Sequence, residues 1–233
     1  ASMANLAGLR GARVLLGEDN ELNQEVACGL LQEVGVLVDI AENGAIAVEK
    51  IQQQDYDLVL MDMQMPVMNG IAATQAIKQL EALAHIPIVA MTANVMATDR
   101  EKCLSVGMVD WVVKPIDPQE LFRVLQKWIQ PRAGRSAALV PSAQATSSEE
   151  PQVPVGIAGL DTQAGLKRVL GKKRAYLSML RRFVEGQKST LQDIQMALAS
   201  DEWERAERLA HTLKGLAGSI GAVGLQELAT ELE

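Results

Sequence analysis

Four consecutive apolar residues, Leu58-Val59-Leu60-Met61, run straight into Asp62, and Pro66, Asn69 and Gly70 follow before the next helical pattern begins. A short, unbroken apolar run of this kind is a strand buried on both faces, as strands of parallel sheets are. The proline, asparagine and glycine then enforce a turn. A carboxylate at the C-terminal end of such a strand lies on the edge where open α/β sheets place their chemistry. A lone strand-end Asp accepting a loop N–H would explain the same residue. Three other strand ends in this segment also carry charged or hydroxyl groups, Glu18-Asp19, Thr92 and Lys114, and that company favours a site.

The flanking pattern supplies the rest of a sheet. Strands are expected at 13–16, 36–40, 58–62, 86–91 and 109–113, with helices at 21–34, 44–53, 71–83 and 98–106 between them. A last helix follows Asp117, a candidate N-cap, with Pro118 in its first turn and Glu120 placed to complete a capping pair. Such alternation predicts an α/β fold with a doubly wound, five-stranded parallel sheet. From 131 to 156 the composition shifts: four of the eight prolines lie there among Ser, Ala and Gln, as in a flexible linker. Beyond it no strand signal remains. Leu177, Leu180, Val184, Leu191, Ile194 and Leu198 mark one long or slightly broken helix, followed by a stripe through Leu209, Leu213, Leu216 and Ile220. A final helix from about Gly224 is still in period at Glu233, so an all-α bundle, incomplete at its C-terminus, is expected. The domains are therefore 11–130, a linker at 131–156, and 157–233.

A net charge of −7 argues against nucleic acid or an anionic membrane surface as the main partner. Cys28 and Cys103 lie far apart in helical patterns, as free thiols of a reducing compartment do. No apolar run reaches membrane-spanning length, and no signal-peptide pattern opens the chain. A cytoplasmic fragment of a longer protein is expected, with any membrane anchor outside this sequence. His85, just before the fourth strand, reads as a loop residue.

If their strands are neighbours, Glu18, Asp19 and Asp62 converge, and three carboxylates together call for a cation. An all-oxygen donor set favours Mg²⁺. Lys114 adds a positive charge and Thr92 a hydroxyl donor. The set amounts to a carboxylate nucleophile, a divalent ion and two groups for phosphoryl oxygens.

Glu18-Asp19-Asn20, Asp62 within LVLMDMQMPVMNG, Met91-Thr92-Ala93 and Lys114-Pro115 together resemble the receiver domain of two-component response regulators. The resemblance implies a flavodoxin-like fold with Asp62 as phosphoacceptor. It further implies Mg²⁺ held by Asp19, by Glu18 through water and by the backbone carbonyl of Gln64. Thr92 and Lys114 would hold the phosphoryl group, Thr92 and Trp111 would form the switch pair, and the Lys114–Pro115 bond would be cis. Gly17 stands where the family has a large apolar residue, so a gap is expected beside it. Haloacid-dehalogenase-type phosphatases share a strand-end Asp but need a second Asp two residues on, and Gln64 occupies that position.

In the helical half, His211 lies two residues from Leu209, roughly 200° around a helix from the apolar stripe, so it is expected to face outward. Lys214, Gly215 and Gly218 share its face. Glycine inside a helix costs about 1 kcal/mol relative to Ala, which suggests that something approaches the backbone there. The string Ala210-His211-Thr212-Leu213-Lys214-Gly215 resembles the histidine phosphotransfer domain, a helical bundle. The resemblance implies that His211 is the phosphohistidine and Lys214 its electrostatic support.

Receiver followed by phosphotransfer domain is the order at the C-terminus of hybrid sensor histidine kinases. The expected function is phosphorelay: an upstream kinase phosphohistidine supplies Asp62, and His211 delivers to a downstream receiver. The alternative is a docking module gated by Asp62 phosphorylation, in which His211 is little used. A DNA-binding regulator lacks a basic recognition helix.

Overall fold

The computed structural model describes residues 3–93, 97–130 and 152–232. The expected linker at 131–156 thus lies outside the described residues as far as 151. Its last part is described, and there Val153 packs against the core and the Pro154 carbonyl accepts from Thr162 Oγ1 at 2.7 Å.

Five parallel strands form one sheet in the order β2-β1-β3-β4-β5: β1 (Arg13–Gly17), β2 (Leu37–Ala41), β3 (Leu58–Asp62), β4 (Ile88–Thr92) and β5 (Asp110–Val113). Between them run α1 (Glu21–Glu33), α2 (Gly44–Gln53), α3 (Gly70–Gln79) and α4 (Ala97–Ser105), and α5 (Pro118–Trp128) follows β5. Alternate residues of each strand feed two cores. Val14, Leu16, Leu58, Leu60, Val89 and Met91 face one side with α1 and α5. Leu15, Val59, Met61, Ile88 and Ala90 face the other with Ala47, Ile51, Ala73 and Ile77 of α2 and α3. Asn20, Asn43, Asn69 and Asp117 cap four of the helices by accepting backbone N–H bonds, each worth about 1 kcal/mol.

Two boundaries differ from the periodicity by more than one residue. α3 stops at Gln79 because Lys78 Nζ turns to the Ala84 and Ile86 carbonyls at 2.7 and 2.9 Å and organises the following turns. β4 begins at Ile88, since Ile86 is bonded back to Leu83 and Pro87 has no N–H to donate. The gap expected at Gly17 does not exist: a Cβ there would lie 2.8 Å from Met61 Sδ, so the methionine sulfur fills that space. The Lys114–Pro115 bond is cis.

The second half is helical: α6 (Thr162–Arg168), α7 (Lys173–Gly186), α8 (Thr190–Ala199), α9 (Trp203–Ile220) and α10 (Val223–Leu232). The stripe read as one long or slightly broken helix is broken, into two helices interrupted at 187–189. α9 ends at Gly221, whose φ of 83° is left-handed. A Cβ there would sit 2.1 Å from the Asp161 carbonyl oxygen, so only glycine fits.

The two halves share one core. α1 packs on α7 and α9, and Leu22, Val26 and Leu30 join Tyr176, Met179, Leu216 and Ile220 in a single buried cluster. Tyr176 donates its hydroxyl to the Ile220 carbonyl at 2.8 Å. No helix among the described residues is long and apolar enough to cross a membrane.

Candidate functional site

The parallel register sets Gly17 beside Met61, so the residues that follow, Glu18 and Asp62, emerge side by side at the C-terminal edge of the sheet. Lys114, one residue beyond β5, reaches across to both. Its Nζ lies 2.5 Å from Glu18 Oε2 and 2.6 Å from Asp62 Oδ2. All three are almost wholly buried, so their charges are tenable only because they are paired and hydrogen-bonded. Asp62 Oδ1 accepts the Gln64 N–H at 3.1 Å. Glu18 Oε1 accepts Asn23 Nδ2 at 3.0 Å and the Asn20 N–H at 3.3 Å. Gly70 lies against this edge so closely that a Cβ would fall 2.2 Å from the Asp62 carbonyl oxygen.

Burial pushes the Glu18 and Asp62 carboxyl groups above the ordinary range, and Lys114 offsets part of that push. Burial would lower Lys114, but the two carboxylates outweigh it and hold the ammonium above its ordinary value. Asp19 is the exposed member of the trio. Partial desolvation and the Glu18 charge raise its carboxyl, while Lys114 and the facing His211 pull it down. One oxygen from each of Glu18, Asp19 and Asp62 lies within 4.8 Å of the others. That spacing and an oxygen-only donor set fit a hard divalent cation.

Thr92 closes β4 and pairs with Val113, but its neighbour Ala93 lines the cavity above the carboxylates. Trp111, half-buried on β5, has the Arg100 guanidinium 4.6 Å from its ring centroid.

From the other side the cavity is closed by α9. A space of about 260 Å³ is lined by Glu18, Asp19, Asp62, Gln64 and Lys114 of the first half and by His211, Thr212 and Gly215 of the second. The sequence-predicted acidic cluster and the predicted histidine thus share one enclosure. His211 is half-buried there, not solvent-facing, and Lys214 and Gly218, expected on an open face, are buried. The reason is α1, which packs against α9. Lys214 does not line the cavity.

Arg205, Arg208 and Asn23 also line this cavity, and sequence reasoning singled out none of the three; Asn20, noted only as part of the Glu18-Asp19-Asn20 motif, lines it too. The signal existed for Arg208: at three residues before His211 it shares its helical face.

Residues 14–126 match the family model for the response regulator receiver domain, and residues 178–233 match that for the Hpt domain. The sensor protein GacS of Pseudomonas syringae pv. syringae is 34% identical over 227 residues, covering 96% of this chain and 24% of that protein. The chain therefore spans about a quarter of the length of such relatives. A solved chain from the co-crystal of the Saccharomyces cerevisiae histidine phosphotransfer protein Ypd1 with the receiver domain of Ssk1 aligns at TM-score 0.50 and 29% identity. The match covers 52% of this chain and 90% of that one. The receiver domain of sensor histidine kinase PA1611 from Pseudomonas aeruginosa PAO1, solved with a magnesium ion in its active-site cleft, is 43% identical. It covers 51% of this chain and 98% of that one at TM-score 0.49.

Proposed function

Because this chain is a response regulator receiver domain followed by an Hpt domain, the two phosphoryl carriers of a two-component phosphorelay, we propose that Asp62 and His211 are the carrying residues. Asp62 takes the phosphoryl group from a phosphohistidine of an upstream kinase. A neutral His211 ring nitrogen then attacks the phosphorus, the N–P bond forms, the acyl O–P bond breaks, and Asp62 returns as a carboxylate. A separate receiver collects the group from His211. The observation that carries this reading is the single cavity lined by both residues.

Lys114 supplies a fixed positive charge on Asp62 Oδ2, placed to compensate charge that builds on the phosphoryl oxygens. Thr92 lies at the adjacent strand end and contributes a hydroxyl to the same oxygens, with Trp111 responding to it from β5. Lys214 supports the His211 side through its charge. Asp19, Asp62 and the Gln64 carbonyl would hold Mg²⁺, with Glu18 acting through water. When bound, the ion neutralises carboxylate and phosphoryl charge. Cys28 and Cys103 form no disulfide with each other, which suits a reducing, cytoplasmic setting. On this reading the kinase that loads Asp62 is of the sensor kind that the chain matches over about a quarter of that relative's length.

The test is intact mass after incubation with Mg²⁺ and acetyl phosphate, on wild type, Asp62→Ala and His211→Ala. One added phosphate that requires Asp62, together with an acid-labile phosphoramidate that requires His211, is expected. Phosphate that persists in Asp62→Ala, or no phosphoramidate in wild type, would overturn the assignment.

A further inference from the structure

Pro115 is the receiver residue that follows Lys114, and it is held by the helical half from two directions. On one side stands Gly218 of α9. It lies seven residues, about two turns, beyond His211 and hence on the same helical face. A methyl group at this glycine would lie 2.7 Å from Pro115 Cγ, well inside contact distance, and 3.0 Å from the Gln226 side-chain amide. The amide ends a flexible side chain and can swing aside. The proline ring cannot. On the other side, Arg168 Nη1 donates to the Pro115 carbonyl oxygen. Two residues further on, Asp117 Oδ2 accepts Lys167 Nζ at 3.2 Å.

We infer that Gly218, Arg168 and Lys167 form a seat for the lysine–proline turn of a receiver domain, and that the missing side chain at Gly218 sets how deeply the receiver docks. The inference rests on the reading of Asp62 and His211 as the two phosphoryl carriers. Pro115 is bonded to Lys114, and Lys114 Nζ grips both Glu18 and Asp62. The depth of the proline in its seat therefore fixes the depth of the acidic cluster beneath His211. The seat recognises a backbone carbonyl, a ring edge and, two residues after the proline, a carboxylate. Its partner is this chain's own receiver, which carries all three features after Lys114.

The experiment follows Asp62-to-His211 transfer in the intact chain. Protein is loaded with Mg²⁺ and acetyl phosphate, quenched over time, and assayed for acid-labile phosphate. Gly218→Ala is expected to load Asp62 normally, keep its helicity, and slow transfer at least tenfold. Arg168→Ala, which removes a half-buried side chain but spares the α9 backbone, is expected to slow it several-fold. Gly224→Ala on α10, where a Cβ meets nothing within 4 Å, is expected to stay within twofold of wild type. Transfer within twofold of wild type in Gly218→Ala overturns the seat. Should that variant not fold, unchanged transfer in Arg168→Ala does so instead. Hydrogen exchange across α1 separates the two readings. If wild type forms no phosphohistidine, the carrier assignment fails, yet loss of α1 protection in Gly218→Ala still supports the seat. Unchanged protection there overturns it.

Discussion

Asp110 opens β5 as a buried carboxylate with three donors: Lys127 Nζ at 2.8 Å, Trp128 Nε1 at 3.0 Å and the Trp111 N–H at 3.0 Å. Burial alone would raise its pKa, but these bonds outweigh burial and hold it below the ordinary 3.8. Its contribution to stability is therefore complete above the unfolded value and is lost as pH falls through the lower folded one. Urea titrations between about pH 5 and pH 2 should show wild type losing stability relative to Asp110→Asn across that window. Parallel pH curves for the two proteins would refute it. Asp110 illustrates what sequence leaves hidden, since its two side-chain donors, Lys127 and Trp128, lie on a helix packed behind its strand. Glu18, Asp19, Asp62 and Lys114 were legible because charged residues at the ends of apolar strands have few structural uses. Arg205 and Arg208 were missed because exposed arginines on a helix ordinarily mean only solvation.

The alternation of strands and helices comes from local rules and was readable almost to the residue, as was the Asp117 cap; Asn20, Asn43 and Asn69 cap their helices by the same rule but were not singled out as caps. The misplaced boundaries have non-local causes, such as Lys78 reaching two carbonyls in the turn beyond its own helix. The break between α7 and α8 was allowed for but not located, because the apolar stripe continues through it. At the end of α9, Gly221→Ala should destabilise the helical half by roughly 1–2 kcal/mol for the left-handed residue alone, and more for the overlap with the Asp161 carbonyl. Thermal melts followed by circular dichroism should show a lower midpoint, with the opposite trend for Gly224→Ala, whose Cβ meets nothing within 4 Å. An unchanged midpoint in Gly221→Ala would contradict this account.

Docking of the two halves was not legible, because an outward-facing histidine stripe carries no mark of what covers it. The contact is apolar at its centre, where Leu22, Val26 and Leu30 meet Met179, Leu216 and Ile220. Its rim holds the exposed pairs Lys172–Glu33, Arg182–Glu25 and Lys167–Asp117. Such pairs are worth about 1 kcal/mol or less each and weaken with salt, whereas apolar burial does not. The radius of gyration by solution X-ray scattering should thus stay constant from about 0.05 to 1 M NaCl. Expansion at high salt would show that the rim holds the halves together. The same contact also governs traffic. If His211 hands the phosphoryl group on as proposed, then with its own receiver seated on that face of α9 the chain works as a turnstile, admitting one receiver at a time. However fast the chemistry on either side, phosphate cannot leave for a second receiver more often than the first one steps away. The dwell time of the two halves against each other is the ceiling on throughput.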